Sequence, residues 1–341
     1  MKKIYIDPGG FYTKVYVLEH DQATGHVQFF GRSFFPSAAT SILTLQERSL
    51  CYEHEGRIYL VGSDCNNALW DLDDLSPDGL RHRDLVARLL VRKALFDYTE
   101  PEEEIDLNIL SDGTVKREIF EDLGAEFTGR LELAAYRGDK KITRFLNVKA
   151  QILAASEGVL GYIQKIKTDF SSAFLIDIGY RSTKMYVVTA KQGVEKFAFW
   201  EFGTKFYSEA ILRALESEGL PATEPYWLMK QIELGCQSLD LPNIPPVGVS
   251  LIIENARWDT NKDFRRLTTD FITDYYNTNA KWVELLVITG GGALFNGELL
   301  STSLSEMGYE FDDIYIDKSP LYTLIEGVVQ LESGSRKVSY D

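Results

Sequence analysis

The stretch Ile4–Val17, with the sequence IYIDPGGFYTKVYV, occurs a second time in related form as FLIDIGYRSTKMYVV at Phe174–Val188. The two stretches align without a gap when Asp7 is placed on Asp177, an offset of 177 − 7 = 170 residues in a chain of 341. Identical pairs in that register also include Gly9 and Gly179, Thr13 and Thr183, Lys14 and Lys184, Tyr16 and Tyr186, and Val17 and Val187. Self-similarity at half the chain length indicates two related halves.

Each stretch has the pattern of a β-hairpin, because apolar strand formers lead into Asp and Gly and an alternating Val-Tyr-Val segment follows. Asp and Gly are common in turns of every kind, so two unrelated hairpins are the alternative explanation. Helical periodicity is present at residues 83–98, 150–166 and 205–219, and strand-like runs are present at 105–110 and 285–289. This order predicts an α/β fold with mixed or largely parallel sheets covered by helices.

Length and composition favour a soluble protein of two lobes. A chain of 341 residues exceeds the usual size of one domain, and 45% hydrophobic with 26% charged residues is ordinary for a globular protein. The formal net charge of −15 disfavours direct nucleic-acid binding. The three cysteines lack the spacing of a disulfide framework or a zinc site, and no segment has the pattern of a signal peptide or a transmembrane helix. We therefore expect a cytoplasmic protein that does not bind membranes.

The turns of both hairpins contain groups that bind phosphate. In the first turn, Asp7–Lys14, glycines allow backbone N–H groups to approach an anion, a lysine neutralises phosphate oxygens, and a carboxylate can hold a hydrated magnesium ion. The second turn, Asp177–Thr183, offers another carboxylate, a glycine and hydroxyl groups. Two carboxylates that face each other across a cleft would clamp one magnesium ion and one triphosphate between the halves.

A glycine run follows a third strand-like segment, in the sequence LLVITGGGALFNGELL at Leu285–Leu300. N–H groups at a helix start and a surface without side chains can approach a phosphate or an adenosine. The run is neither a P-loop nor a G-x-G-x-x-G fingerprint, and a flexible turn is the alternative. Between the second hairpin and the glycine run nothing resembles a Ser-His-Asp set, a Cys-His pair or a zinc-binding helix, and the four histidines all precede the second hairpin: His20, His26, His54 and His82.

The ordered set of motifs resembles the actin superfamily. IDPGGFYTK is similar to its first phosphate loop, IDIGYRSTK to its second and VITGGGALF to its adenosine motif. Ala150 and Gln151 resemble the opening of the first connecting helix, and Ser319–Val328 resembles the second connecting helix. The motifs extend from about residue 4 to residue 328, and they look closest to plasmid-segregating ParM-like (StbA-like) and archaeal actin-like proteins. The resemblance implies a duplicated, ribonuclease H-like α/β fold of the actin type, with two lobes around a nucleotide cleft.

The resemblance also implies the domain boundaries. The first lobe would span residues 1–150, with a smaller inserted subdomain at about 30–70. The second lobe would span residues 151–318, with a smaller subdomain at about 205–275. Residues 319–341 would form a C-terminal helix that returns to the first lobe.

Roles for individual residues follow from the resemblance. Asp7 and Asp177 would hold magnesium through water, Lys14 would contact the β- and γ-phosphates, and Gln151 would orient the attacking water. Lys184 departs from the family pattern, in which an acid or a histidine often stands at that position. The residues implied to contact the nucleotide are Gly9, Gly10, Thr13, Lys14, Gly179, Tyr180, Ser182, Lys230, Glu233, Gly290, Gly291 and Gly292. Lys230 and Glu233 are the proposed ribose and base contacts, with ordinary helix-surface charges as the alternative.

The function implied is that of an ATPase, using ATP and Mg²⁺ with GTP as a possible substitute, which polymerises into filaments when ATP binds. Its partners would be further copies of itself and an adaptor of the ParR type bound to centromere-like DNA, so that the filament segregates plasmids. The alternatives are a cytoskeletal scaffold outside plasmid partition and a small-molecule kinase of the same fold. A kinase should carry a substrate pocket with a catalytic acid, and a scaffold should be recruited to membranes.

Overall fold

The structure is a computed structural model that describes residues 1–9, 12–20, 27–36, 39–42, 49–65, 77–111, 117–217, 219, 228, 238–239, 247–248, 250–279, 283–318 and 320–333. These residues form two compact units. The first unit comprises residues 1–162 together with the C-terminal residues from 324 onward, and the second comprises residues 163–323. The division therefore lies within a helix on one side and near position 323 on the other, whereas the sequence predicted lobe boundaries at 150 and 318.

Up to Ile166, the described residues form nine strands, three α-helices and a short 3-10 helix at Gly62–Asp64. The strands are β1 Lys2–Pro8, β2 Tyr12–His20, β3 Val27–Pro36, β4 Ala39–Ser41, β5 Leu50–His54, β6 Arg57–Val61, β7 Glu104–Ser111, β8 Gly129–Arg137 and β9 Lys140–Ala154. The helices are α1 Pro77–Tyr98, α2 Arg117–Glu126 and α3 Ala155–Ile166, the last of which ends in the second unit.

The second unit alternates strands and helices in the remaining described part of the chain. Its strands are β10 Ser172–Ile178, β11 Thr183–Thr189, β12 Gly193–Trp200, β13 Ser238–Leu239, β14 Val247–Gly248, β15 Leu285–Thr289 and β16 Asp313–Ile316. Its helices are α4 Thr204–Ser217, α5 Ser250–Asn279 and α6 Ala293–Glu306. The last helix, α7 Thr323–Ser333, starts at the end of this unit and continues in the first.

The duplication predicted from the sequence is confirmed by strand pairing. β1 and β2 pair antiparallel with Asp7 opposite Lys14, and β10 and β11 pair antiparallel with Asp177 opposite Lys184. Each partner pair of the first hairpin has its counterpart 170 residues later in the second. Even the irregularity in the pairing with the next strand recurs, between residues 17 and 18 in β2 and between residues 187 and 188 in β11.

The sheets of the two units also share their strand order. In the first unit the order β3-β2-β1-β7-β9 is followed by β8-β5-β6-β4, and in the second unit the order is β12-β11-β10-β15-β16. β1 pairs parallel with β7, and β10 pairs parallel with β15 in the same way. Both sheets are therefore mixed, as the sequence predicted.

Alternation along the hairpin strands builds the two cores. Ile4 and Ile6 of β1 and Val15 and Val17 of β2 are fully buried in one apolar cluster, with α1 packed on it. The equivalent residues of the second hairpin lie in a second cluster with α5 and α6: Phe174, Ile176, Met185 and Val187. Because strand side chains alternate between faces, a slip by one residue would exchange these side chains with those of the opposite face, where Tyr5 and Tyr186 are also buried, so packing on both faces fixes the register.

The prediction of a helix from Ala150 is wrong, because β9 continues to Ala154 and α3 begins at Ala155. Residues 147–154 pair in parallel with β7, and Gln151 lies opposite Asn108 in that ladder. The interstrand hydrogen bonds of a central sheet position therefore override the helical periodicity of this segment. Gln151 is a strand residue and does not open the connecting helix.

α3 and α7 pack through glycines in the first unit. A Cβ atom built on Gly161 would meet the carbonyl carbon of Gly327 at 2.7 Å, and one built on Gly327 would meet the carbonyl carbon of Gly158 at 2.7 Å. The far end of α7 is bonded to β1, because the Tyr5 hydroxyl donates to the Glu332 carboxylate at 2.5 Å. Burial and the Glu332 charge raise the pKa of Tyr5, so its hydroxyl keeps the proton that it donates. The close approach of the α3 and α7 backbones leaves no room for a side chain at Gly161 or Gly327.

We predict that Gly161→Ala destabilises the protein by roughly 1–3 kcal/mol, because the added methyl group overlaps the α7 backbone. Gly124→Ala in α2 is the matched control, since its Cβ would meet only the end of the Ile152 side chain at 3.3 Å. Alanine favours a helix by roughly 0.5–1 kcal/mol over glycine, so the control should be neutral or stabilising. Thermal and urea unfolding measure both variants, and equal stability of Gly161→Ala and wild type would contradict the packing.

Candidate functional site

The first turn holds a carboxylate and an ammonium group against each other. The Lys14 Nζ lies 2.8 Å from the Asp7 Oδ2, and the two side chains are 20% and 16% exposed. The Gly9 N–H donates to the Asp7 carbonyl at 2.9 Å. A Cβ atom on Gly9 would lie 2.9 Å from the Lys14 Nζ, so the missing side chain lets the ammonium group rest against the backbone of the turn. Gly10 lies outside the described residues, and Thr13 is fully buried.

The ion pair of the first turn contains both charges that a metal-phosphate complex requires. A phosphate oxygen can replace the carboxylate as the partner of Lys14, and a hydrated magnesium ion can replace the ammonium group as the partner of Asp7. Both exchanges keep every charge paired. The geometry therefore fits binding of a divalent cation together with a phosphate better than binding of either alone.

The second turn is fixed by hydrogen bonds to its own carbonyl groups. The Gly179 N–H donates to the Ser182 carbonyl at 2.9 Å, which closes the turn. The first N–H groups of α4 donate to it as well, from Thr204 to the Gly179 carbonyl at 3.0 Å and from Lys205 to the Tyr180 carbonyl at 2.7 Å. The helix start thus sets the position of the turn backbone, and Asp177 stands directly before that backbone at the end of β10.

Three glycines allow the second turn to be enclosed. A Cβ atom on Gly203 would lie 2.5 Å from the carbonyl oxygens of Gly179 and Tyr180. A Cβ atom on Gly290, which has φ +81°, would touch the Asp177 carboxylate and lie 2.5 Å from the Ile178 carbonyl oxygen.

The third of these glycines, Gly292, donates its N–H to the Ile178 carbonyl at 2.8 Å. A Cβ atom there would overlap the Ile178 side chain, whereas one on Gly291 would meet nothing within 4 Å. Gly290 and Gly292 are therefore packing positions, and Gly291 is the open member of the run. The structure brings the glycine run and the second turn together, which the sequence analysis treated as separate elements.

Gly203 is a site residue that sequence reasoning missed. It stands in the segment EFGTK between β12 and α4, directly before the first helical residue. A glycine at the start of a helix was the available signal, but only the approach of the second turn distinguishes it from an ordinary loop glycine.

The sequence-predicted water-orienting residue, Gln151, is held in the sheet. Its side-chain amide donates to the Oδ1 of Asn108, which is fully buried in β7. The first turn of α3 instead carries the exposed acid Glu157, immediately before the packed Gly158. Helical periodicity from residue 150 draws attention away from Glu157, because the helix begins only at Ala155.

Two further predicted residues, Lys230 and Glu233, lie outside the described residues. Lys184 is buried opposite Asp177. In the part of the chain that the structure describes, no three His, Cys, Asp or Glu side chains gather into a metal cage. Each turn offers one carboxylate, a donor set that fits magnesium held mainly by water and phosphate oxygens. No helix in the described ranges is both long enough and apolar enough to cross a bilayer.

No protein-family model matches this chain, and no curated protein matches its sequence. Solved structures match nearly all of it. The archaeal actin homolog Ta0583 is 14% identical with a TM-score of 0.73, and the match covers 99% of this chain and 100% of that one. A complex of Ta0583 with ADP matches with a TM-score of 0.69, 13% identity and coverage of 99% and 100%.

Two further solved structures match almost as fully. ParM of Bacillus thuringiensis, solved with ATP, is 13% identical with a TM-score of 0.65 and coverage of 98% of this chain and 99% of that one. An Alp12 filament structure is 15% identical with a TM-score of 0.60 and coverage of 96% and 98%. At these identities the similarity establishes the fold. The fold class implied by the sequence motifs is confirmed: the chain has the actin-like α/β fold of archaeal actin homologs and ParM proteins.

Proposed function

We propose that this chain is an actin-like ATPase that binds one magnesium-ATP complex through its two Asp-Gly turns and its glycine run. The observation that carries the proposal is the repeated hairpin, in which each unit presents an aspartate opposite a lysine at the same register. Two structures of similar fold are described as complexes with ADP and with ATP, which supports a nucleotide as the ligand. GTP remains compatible with the same phosphate contacts.

The residues divide the work of binding. Asp7 and Asp177 would hold the magnesium ion through water, and the ion would neutralise charge on the β- and γ-phosphates. Lys14 would move from its ion pair with Asp7 to a phosphate oxygen. The turn around Gly179 and Tyr180 is held by the start of α4, so its backbone is ordered before a ligand arrives. Gly291 offers the open surface for the nucleoside.

Glu157 is the better candidate to orient the attacking water. The actin-superfamily resemblance assigns that role to a Gln or Glu that opens the first connecting helix. In α3, Glu157 is the residue of that kind in the first turn. A carboxylate there would accept a hydrogen bond from the water, and this hydrogen bond would direct a lone pair of the water oxygen toward phosphorus. Gln151 lies four residues before α3 and is the alternative candidate for this role.

Filament formation is the proposed output of nucleotide binding. A related fold is described as a filament, which supports self-association. Contacts to the γ-phosphate favour the state that polymerises, and hydrolysis removes them, so the ATPase would time disassembly. Plasmid segregation through a ParR-type adaptor on centromere-like DNA is the proposed use, since a net charge of −15 disfavours direct DNA contact.

We predict that Asp177→Asn lowers magnesium-ATP hydrolysis on the order of 100-fold, because the amide no longer supports the metal that stabilises transferred charge. The substitution keeps the side-chain shape, so unfolding temperature should not change. Asp169→Asn, at an exposed position of the same unit, is the control. Phosphate release measures both variants, and wild-type turnover in Asp177→Asn would exclude the assigned role.

We predict that Glu157→Ala slows single-turnover hydrolysis on the order of 100-fold, while the ATP dissociation constant changes by less than about threefold. Glu157→Gln should restore part of the rate, because a glutamine can also orient water. Gln151→Ala should retain hydrolysis. If Gln151→Ala abolishes hydrolysis and Glu157→Ala does not, the water-orienting residue is the strand residue and the assignment to α3 is wrong.

We predict that the protein sediments as polymer with magnesium-ATP and returns to the supernatant after hydrolysis or with ADP. Ultracentrifugation at several protein concentrations should give a critical concentration, as expected of a nucleated assembly. A protein that binds and hydrolyses ATP but stays in the supernatant at every concentration would retain the ATPase proposal and contradict the filament proposal.

A further inference from the structure

A buried carboxylate outside the proposed metal site joins two threonines of the second unit. Asp317 follows β16 and is 4% exposed. Its Oδ2 accepts from the Thr289 hydroxyl at 3.1 Å and from the Thr323 hydroxyl at 2.8 Å. The two hydroxyl oxygens lie 2.6 Å apart, and both threonines are buried. We name Thr289, Asp317 and Thr323 the Thr–Asp–Thr cluster.

Packing alone does not explain why polar side chains occupy this buried position. A buried carboxylate loses its hydration, and hydroxyl donors recover part of that loss. Apolar side chains of similar volume would fill the same position without a desolvation cost. The hydrogen bonds do define one relative position for three backbone segments, which apolar packing defines less strictly. The Asp317 N–H adds a fourth constraint by donating to the Ile288 carbonyl at 2.9 Å.

One side of the cluster supports the second turn. Thr289 is the last residue of β15 and lies opposite Asp177 in the parallel ladder. The next residue, Gly290, has its backbone against the Asp177 carboxylate, where a Cβ atom would collide. Any shift of Thr289 therefore displaces the backbone on which the Asp177 side chain rests.

The other side of the cluster begins α7. Thr323 is the first residue of that helix, and the chain passes from the second unit to the first between Thr323 and Leu324. Further along, Gly327 packs on Gly158 of α3, the residue that follows Glu157. At its far end α7 is bonded through Glu332 to β1, the strand that contains Asp7.

We propose that Asp317 is a positioning residue for the phosphate site: it fixes Thr289 and Gly290 beside Asp177 and, through the same carboxylate, fixes the start of α7. Displacement of the metal-binding carboxylate in the second unit is thereby transmitted to the helix that packs on α3. The effect on hydrolysis rests on the proposed ATPase function. The mechanical link between Thr323 and Gly290 does not, and it can be measured without nucleotide.

The test uses Thr323→Val, which removes one hydroxyl and keeps the volume of the side chain. Thr260→Val is the matched control, because Thr260 is buried in the same unit and its hydroxyl donates only to the Ala256 carbonyl within its own helix among the described residues. Thr323→Ser, which restores the hydroxyl, is the rescue variant. Asp317→Asn and Asp317→Ala extend the series at the carboxylate.

The first measurement is amide hydrogen exchange of the nucleotide-free protein. Thr323→Val should raise exchange at least about tenfold both in residues 323–327 and at Gly290–Gly292, and Thr323→Ser should restore it. The control should leave Gly290–Gly292 unchanged. Wild-type exchange at Gly290–Gly292 in Thr323→Val would overturn the proposal, whatever the outcome for ATP.

The second measurement is single-turnover hydrolysis per bound nucleotide. Thr323→Val and Asp317→Ala should lower the rate about tenfold or more and change the magnesium-ATP dissociation constant less than about threefold, while Asp317→Asn should recover part of the rate. A purely structural role would lower the unfolding temperature and leave the rate per bound nucleotide unchanged, and that result would overturn the proposal. If the wild-type protein binds no magnesium-ATP, the proposed function is wrong. The hydrogen-exchange measurement then tests the link between Thr323 and Gly290 by itself.

Discussion

The register of the two antiparallel hairpins is the constraint on which the rest of the structure depends. Alternate residues of each hairpin are buried in the core of their unit, so a slip by one residue would turn those apolar side chains to the other face of the sheet. The same register places Asp7 opposite Lys14 and Asp177 opposite Lys184. Core burial therefore also sets where the polar groups at the turns lie, and contacts from α4 and the glycine run then hold the second turn.

The two turns differ in how their backbones are held. The first turn is stabilised by the ion pair between Asp7 and Lys14. A metal ion could replace Lys14 as the partner of Asp7, and a phosphate could replace Asp7 as the partner of Lys14. The second is enclosed by backbone groups from the start of α4 and from the glycine run. A duplicated motif has thus acquired one turn whose side chains can be rearranged and one whose backbone is fixed. If the proposed ATPase function holds, that division would let the first turn rearrange after the γ-phosphate is lost while the second keeps its shape.

Much of this arrangement could be predicted from the sequence, because hairpin register, glycine turns and strand alternation are local properties. The sequence predicts a strand at Leu285–Thr289 and a helix start just after the glycine run, and both are present. The start of α3 was placed wrongly, because its preceding residues pair with β7, a strand about forty positions earlier, and no local pattern reveals that pairing. Gly203 and the Thr–Asp–Thr cluster were missed for the same reason: each acquires its meaning from segments that are distant in sequence.

We propose that Asp7 and Asp177 act on one magnesium-nucleotide complex. The decisive measurement is a double-mutant cycle on magnesium-ATP affinity, with Asp7→Asn, Asp177→Asn and the double variant. Residues that hold the same ion should show a coupling energy of about 0.5–3 kcal/mol, so that the loss in the double variant differs from the sum of the single losses. Additive losses, to within roughly 0.3–0.5 kcal/mol, or no loss in either single variant, would contradict the account.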